Sequence, residues 1–158
     1  MGARLRASCR AVVASPETTV ATFALLLNFP WEILQAPLYD GMASSPHAIV
    51  SKACLQATAG DMVIMLIAHG AVAIGSRNRR WTVSASGAQL LLFVAFGLSI
   101  TLIVEWLGTG GHWLSSWSYA PTMPLLPGTG IGLSPVLQWL ILPPLTVWFA
   151  KRQLVGSA

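Results

Sequence analysis

Four apolar runs, at roughly 19–39, 57–75, 87–107 and 133–150, limit what this chain can fold into more than any other feature. A run of about twenty residues matches the ~30 Å hydrocarbon core of a bilayer when it is helical. Backbone in lipid must satisfy its own hydrogen bonds, which makes each run a helix. The expectation is all-α: a polytopic membrane protein, a single four-transmembrane-helix bundle over residues 1–158. Composition points the same way, since only 9% of residues are charged, against about a quarter in soluble proteins.

The net charge of +4 is not spread as a nucleic-acid surface would need. It sits in short clusters between the runs. Arg4, Arg6, Arg10, Arg77, Arg79, Arg80, Lys151 and Arg152 fall on one side of a four-span bundle, and Lys52 on the other. Basic residues stay cytoplasmic, so both termini are expected there, in a bacterial inner membrane. Nucleic acid is not an expected partner; membrane lipids are. The start, MGARLRASCR, has the look of a signal peptide, but the apolar run leads into NFPWE with no small-residue cleavage site. It reads as a retained first span. Cys9 and Cys54 fit no disulfide or metal spacing.

The stretch NFPWEILQAPLY, residues 28–39, is the unusual part of the first run. Asn28, Glu32, Gln35 and Tyr39 follow an i, i+4, i+7, i+11 spacing and are expected on one helical face, with bends at Pro30 and Pro37. Other runs repeat the theme. By helical rise, Glu32 lies roughly 10 Å below the outer end of its span and Asp61 roughly 6 Å below that of the second. Glu105 is within about 5 Å of the outer end of the third, and Gln138 about 8 Å into the fourth. Asn28 and His69 form a deeper layer, each roughly 17 Å down. Thr58, Asp61, Met65 and His69 share a face, as do Thr101 and Glu105. If these faces meet, the bundle encloses an acidic pocket open to the outer side.

No Lys or Arg lies within a run, so the three carboxyl groups have no fixed cation. Either one holds a proton and serves as a general acid, or a cation binds, or water reaches in. Structural roles compete with each of these: Asp61 near a helix N-terminus suits the helix dipole, and His69 can hydrogen-bond within a bundle. The loop from Gly108 to Gly132 is long and uncharged. Its Trp113, Trp117 and Tyr119 suit either an interfacial aromatic belt or a lid over the polar layer. A metal site would have to combine helices, for example Glu32, Asp61, Glu105 and His112. Motifs of soluble enzymes, GxSxG, HExxH, CxxC and phosphate loops, are missing. The sequence assigns no cofactor.

NFPWEILQAPLY, GDMVIML, EW, WSYAPTMP and GLSPVLQW together resemble segments of small four-span bacterial membrane proteins. The last third of the chain also resembles the membrane domains of carotenoid hydratases and heterodimeric lycopene cyclases. The counterparts there are Glu105, Thr109-Gly110, Trp117-x-Tyr119, and Pro135 with Trp139, while the cyclases' paired acidic motif is absent. That resemblance implies acid–base chemistry on an isoprenoid-like lipid. The leading expectation is therefore an acid–base enzyme for a lipophilic small molecule. Glu32 or Glu105 would be the proton donor and Asp61 the partner base or carbocation stabiliser. Asn28, Gln35, Tyr39, His69, Trp113, Trp117, Tyr119 and Gln138 would hold the substrate. Two alternatives stay open: a metal or cation carrier, and a non-catalytic subunit that meets another membrane protein or a second copy.

Overall fold

The computed structural model describes residues 15–111 and 116–156. Among them are four α-helices and no extended strand. They are α1 (Pro16–Gln35), α2 (His47–Gly75), α3 (Gly87–Thr109) and α4 (Leu133–Gly156). Local chemistry sets their starts. Ser15 caps α1 by accepting from the Thr18 N–H at 3.1 Å, and Pro16 follows at the first helical position. Ser86 and Gln89 cap α3 reciprocally, with bonds of 3.0 and 3.2 Å. α2 runs unbroken over 29 residues, ten of them before the apolar run that starts near 57.

The largest departure from the sequence expectation is at the end of α1. The helix stops at Gln35 and tightens into a 3₁₀ turn over Ala36–Leu38. Pro37 has no N–H with which to continue the ladder. Tyr39 is thereby taken off the Asn28–Glu32–Gln35 face and set in extended backbone. At the other ends, α3 continues to Thr109 and α4 to Gly156, beyond the expected 107 and 150.

The helices pack in cyclic order, α1 against α2 and α4, and α3 against α2 and α4. Three of them, α2, α3 and α4, are long and apolar enough to cross a membrane. α1 is not among them, because Asn28, Glu32 and Gln35 interrupt its apolar run. Exposure is inverted relative to a soluble protein. Leu26, Leu34, Ile74 and Leu91 are well exposed, while Asn28, Glu32, Gln35, His69, Glu105 and Gln138 are buried. An apolar exterior around a polar centre suits lipid as the surrounding solvent.

The core joins Ala24, Met65, Ala68, Val72, Trp81, Phe93, Trp139, Leu142 and Val147. Its tightest point is where α3 meets α4. A Cβ added at Gly97 would lie 2.0 Å from the Trp139 ring, so the ring needs a glycine beneath it. Gly97→Ala is expected to cost about 1–3 kcal/mol, as overpacking of a filled core does. Trp139→Phe in the same chain should restore part of the loss. Thermal melting of the detergent-solubilised protein checks both.

Basic residues gather at one end. Glu17 at the start of α1 pairs with Arg79 after α2, at 2.6 and 3.0 Å. The Arg79 guanidinium holds the Glu17 carboxyl below the usual carboxylate range. The Phe23 and Phe149 rings stack, which brings the end of α4, with Lys151 and Arg152, beside the start of α1 at this same end. Arg4, Arg6 and Arg10 lie outside the described residues.

Candidate functional site

Helical periodicity brings Asn28, Glu32 and Gln35 to the inner face of α1, and all three are buried. Across from them, α4 presents Gln138, which is 2% exposed. The Gln138 amide nitrogen is the focus of the site. Three oxygens face it: Asn28 Oδ1 at 2.8 Å, Glu32 Oε1 at 3.0 Å and Asp61 Oδ2 at 2.8 Å. Three helices thus meet through one amide group. Glu32 and Asp61 are thereby set side by side, close enough for their carboxyl groups to interact.

Around that focus the polar groups are closely matched. Gln35 Nε2 donates to Glu32 Oε1 at 2.7 Å and to Gln138 Oε1 at 3.3 Å. Gln35 Oε1 accepts from Ser134 Oγ at 2.7 Å and from Trp31 Nε1 at 3.2 Å. Asn28 Nδ2 donates to the Ala24 carbonyl at 2.7 Å. The Cys54 thiol reaches the Glu32 carbonyl at 3.5 Å. Ser134, Trp31 and Cys54 escape the sequence reading. For the first two a signal exists: Ser134 stands four residues before Gln138, and Trp31 four before Gln35.

Glu105 forms a second group beside the first. Its Oε2 accepts from the Tyr119 hydroxyl and from Trp117 Nε1, the latter at 3.2 Å. Tyr39 stands beside the same carboxyl group, close enough to interact with it. Burial, and then the bond to Glu105, pushes the Tyr119 hydroxyl above the usual tyrosine range, so it stays a donor. Glu105 lies close enough to Glu32 and Asp61 to sense their charge.

The loop is strapped over this second group by backbone bonds. Tyr39 and Tyr119 form an isolated antiparallel bridge, flanked by Asp40 N–H to Ser118 O at 2.9 Å and Ala120 N–H to Leu38 O at 2.9 Å. The break at Pro37 is what frees Tyr39 to make this bridge. Tyr39 therefore serves the Glu105 group rather than the Asn28–Gln35 stripe. Gly108 lets Trp117 settle against α3, since a Cβ there would lie 2.2 Å from its ring.

His69 does not join either group, contrary to its expected place in the substrate pocket. Its ring stands 5.5 Å from Trp81, and the charges it senses are Glu17 and Arg79. The reason is depth: eight residues separate it from Asp61, about 12 Å of helix toward the basic end. Its Nε2 has no hydrogen-bond partner among the described residues. His112 and Trp113 lie outside the described residues. Among those described, no three His, Cys, Asp or Glu side chains surround a common point suited to a metal ion. The convergence of Asn28, Glu32 and Asp61 is occupied by the Gln138 amide itself. Comparison with protein-family models, curated proteins and solved structures returned no match.

Proposed function

We propose that this chain is a membrane-embedded acid–base catalyst for a lipophilic, isoprenoid-like substrate that enters from the bilayer. One observation carries the reading. The Gln138 amide has two hydrogens and faces three acceptor oxygens. Glu32 and Asp61 stand side by side at that nitrogen, and two bare carboxylates have no hydrogen to share. One proton held between them completes the network. Glu105 is the opposite case, with donors from Tyr119 and Trp117 already directed at it, which suits a carboxylate. A proton-bearing pair and an ionised carboxylate in one largely buried layer are an acid and a base set apart by environment.

The chemistry that fits is protonation of a carbon–carbon double bond. The Glu32–Asp61 pair gives its proton to one alkene carbon, leaving a carbocation at the other. Glu105 and the rings of Tyr39 and Tyr119, 5.6 Å apart, would stabilise that charge. Loss of a neighbouring proton to Glu105 moves the double bond. Capture of water, with its extra proton passing to Glu105, yields an alcohol and consumes one water. Either way the proton on Glu105 must return to the pair before the next turnover. The reading is tested without knowing the substrate. Protein in vesicles loaded with an isoprenoid lipid extract is incubated in D₂O, and the lipids are analysed by mass spectrometry. Deuterium bound to carbon in some lipid is the expected result, and a lipid pool unchanged from the protein-free control rejects the reading.

The setting proposed with it is the bacterial inner membrane, with α1 as a fourth span and both termini cytoplasmic. The basic end of the bundle supports that orientation. A reporter fused after Ala158 or inserted near Asn78 should therefore report cytoplasm. One placed near Ser45 or Ser116 should report the outer side. Outer-side activity at Asn78 would reverse the membrane orientation of the acidic layer.

A further inference from the structure

A groove of about 550 Å³ opens at the basic end of the bundle, on the last turns of α4. Trp148, Lys151, Arg152, Val155 and Gly156 line it. They fall at i, i+3, i+4, i+7 and i+8, one face of the helix. Arg152 sits over the Trp148 ring, its guanidinium carbon 4.1 Å from the centroid. That contact fixes the direction of a long side chain while leaving its N–H groups available. Lys151 adds a compact charge on the same face. α4 contains no Asp or Glu, and among the described residues the acidic group at this end, Glu17, is paired with Arg79. Among the described residues the groove therefore sets two cations and no carboxylate against a mostly apolar lining.

Its apolar side continues up the helix. Ile141, Leu145 and Trp148 are 43%, 39% and 47% exposed, and they share a face with Arg152 at successive turns. An apolar stripe leads directly into a pair of cations at the depth where a span ends. A free anion would match the cations and leave the stripe unused. An apolar chain alone would match the stripe and leave the cations unused. We infer that this groove holds one anionic phospholipid, its phosphate between Lys151 and Arg152 and an acyl chain along Ile141 and Leu145. The site is separate from the acidic layer and does not rest on the catalytic reading.

Trp148 provides a built-in probe. The full-length protein is reconstituted in phosphatidylcholine vesicles containing increasing fractions of phosphatidylglycerol or phosphatidylcholine with brominated acyl chains. Quenching present in the wild type and absent from Trp148→Phe isolates the signal of this ring. Half-quenching by the brominated phosphatidylglycerol is expected at a several-fold lower fraction than by brominated phosphatidylcholine. Each basic residue near a membrane surface contributes about fivefold in this preference, and the doubly substituted K151S/R152S chain should lose it. Removing the same charge elsewhere at this end, with R77N/R80Q, should leave it intact. Soluble glycerol 3-phosphate at millimolar concentration should not displace the lipid. Equal quenching by both lipids, a preference that survives K151S/R152S, an equal loss in R77N/R80Q, or displacement by glycerol 3-phosphate each overturns the inference. Should K151S/R152S fail to reconstitute, Lys151→Gln alone carries the test through an expected loss of about fivefold.

Discussion

Glu32→Gln is expected to lower the rate of deuterium transfer into lipid by about 10²–10⁴-fold, the usual loss when a general acid is removed. The same chain should melt within about 1 kcal/mol of the wild type. The geometry explains why these two properties separate. Glu32 Oε1 accepts from Gln35 at 2.7 Å and from Gln138 at 3.0 Å. A glutamine oxygen can keep both bonds, and its new amide hydrogens can turn to Asp61 in place of the shared proton. The network stays complete, but nothing in it can be released as an acid. Glu105→Gln makes the complementary case, because the donors from Tyr119 and Trp117 remain satisfied while the base is lost. A Glu32→Gln protein that transfers deuterium at the wild-type rate would show that Glu32 is not the acid. Loss of activity together with the folded state would show a structural role instead.

How much of this could be read from the residues depends on the range of each contact. Asn28, Glu32 and Gln35 are legible because helical spacing within one run puts them on one face. Gln138 could be placed at the right depth by counting rise, but not the convergence of three helices on its nitrogen. That meeting depends on helix rotation, which spacing within a single run does not fix. Tyr39 is not legible in this way, because at Pro37 the chain leaves the helix and its backbone groups pair with the loop. The Glu105–Trp117–Tyr119 group joins a span to a loop across 12 and 14 residues, outside any helical period. No spacing rule within one helix brings those three residues together. His69 shows the opposite failure: a shared helix face does not make a shared site when two turns of helix intervene.

Gln138→Leu is expected to be the most damaging substitution for stability, at about 3–5 kcal/mol, the range seen when one partner of a buried ionic network is removed. Leucine fills similar space, so lost packing is not the main term. It supplies no hydrogen, and Asn28, Glu32 and Asp61 would each lose the donor they share. Those oxygens are close to one another, and no Lys or Arg lies in the runs to replace the amide. A second substitution separates this account from a simple packing defect. In the Gln138→Leu background, Asp61→Asn removes an acidic acceptor and brings two amide hydrogens to the same place. The double variant should recover part of the loss, with a coupling of about 1–3 kcal/mol between the two positions. Melting of the four proteins, wild type, both singles and the double, gives that coupling directly. Strict additivity would mean that the three acceptors do not depend on one amide. The proton assigned to the Glu32–Asp61 pair would then lose its basis, because it follows from the shortage of hydrogens at that nitrogen.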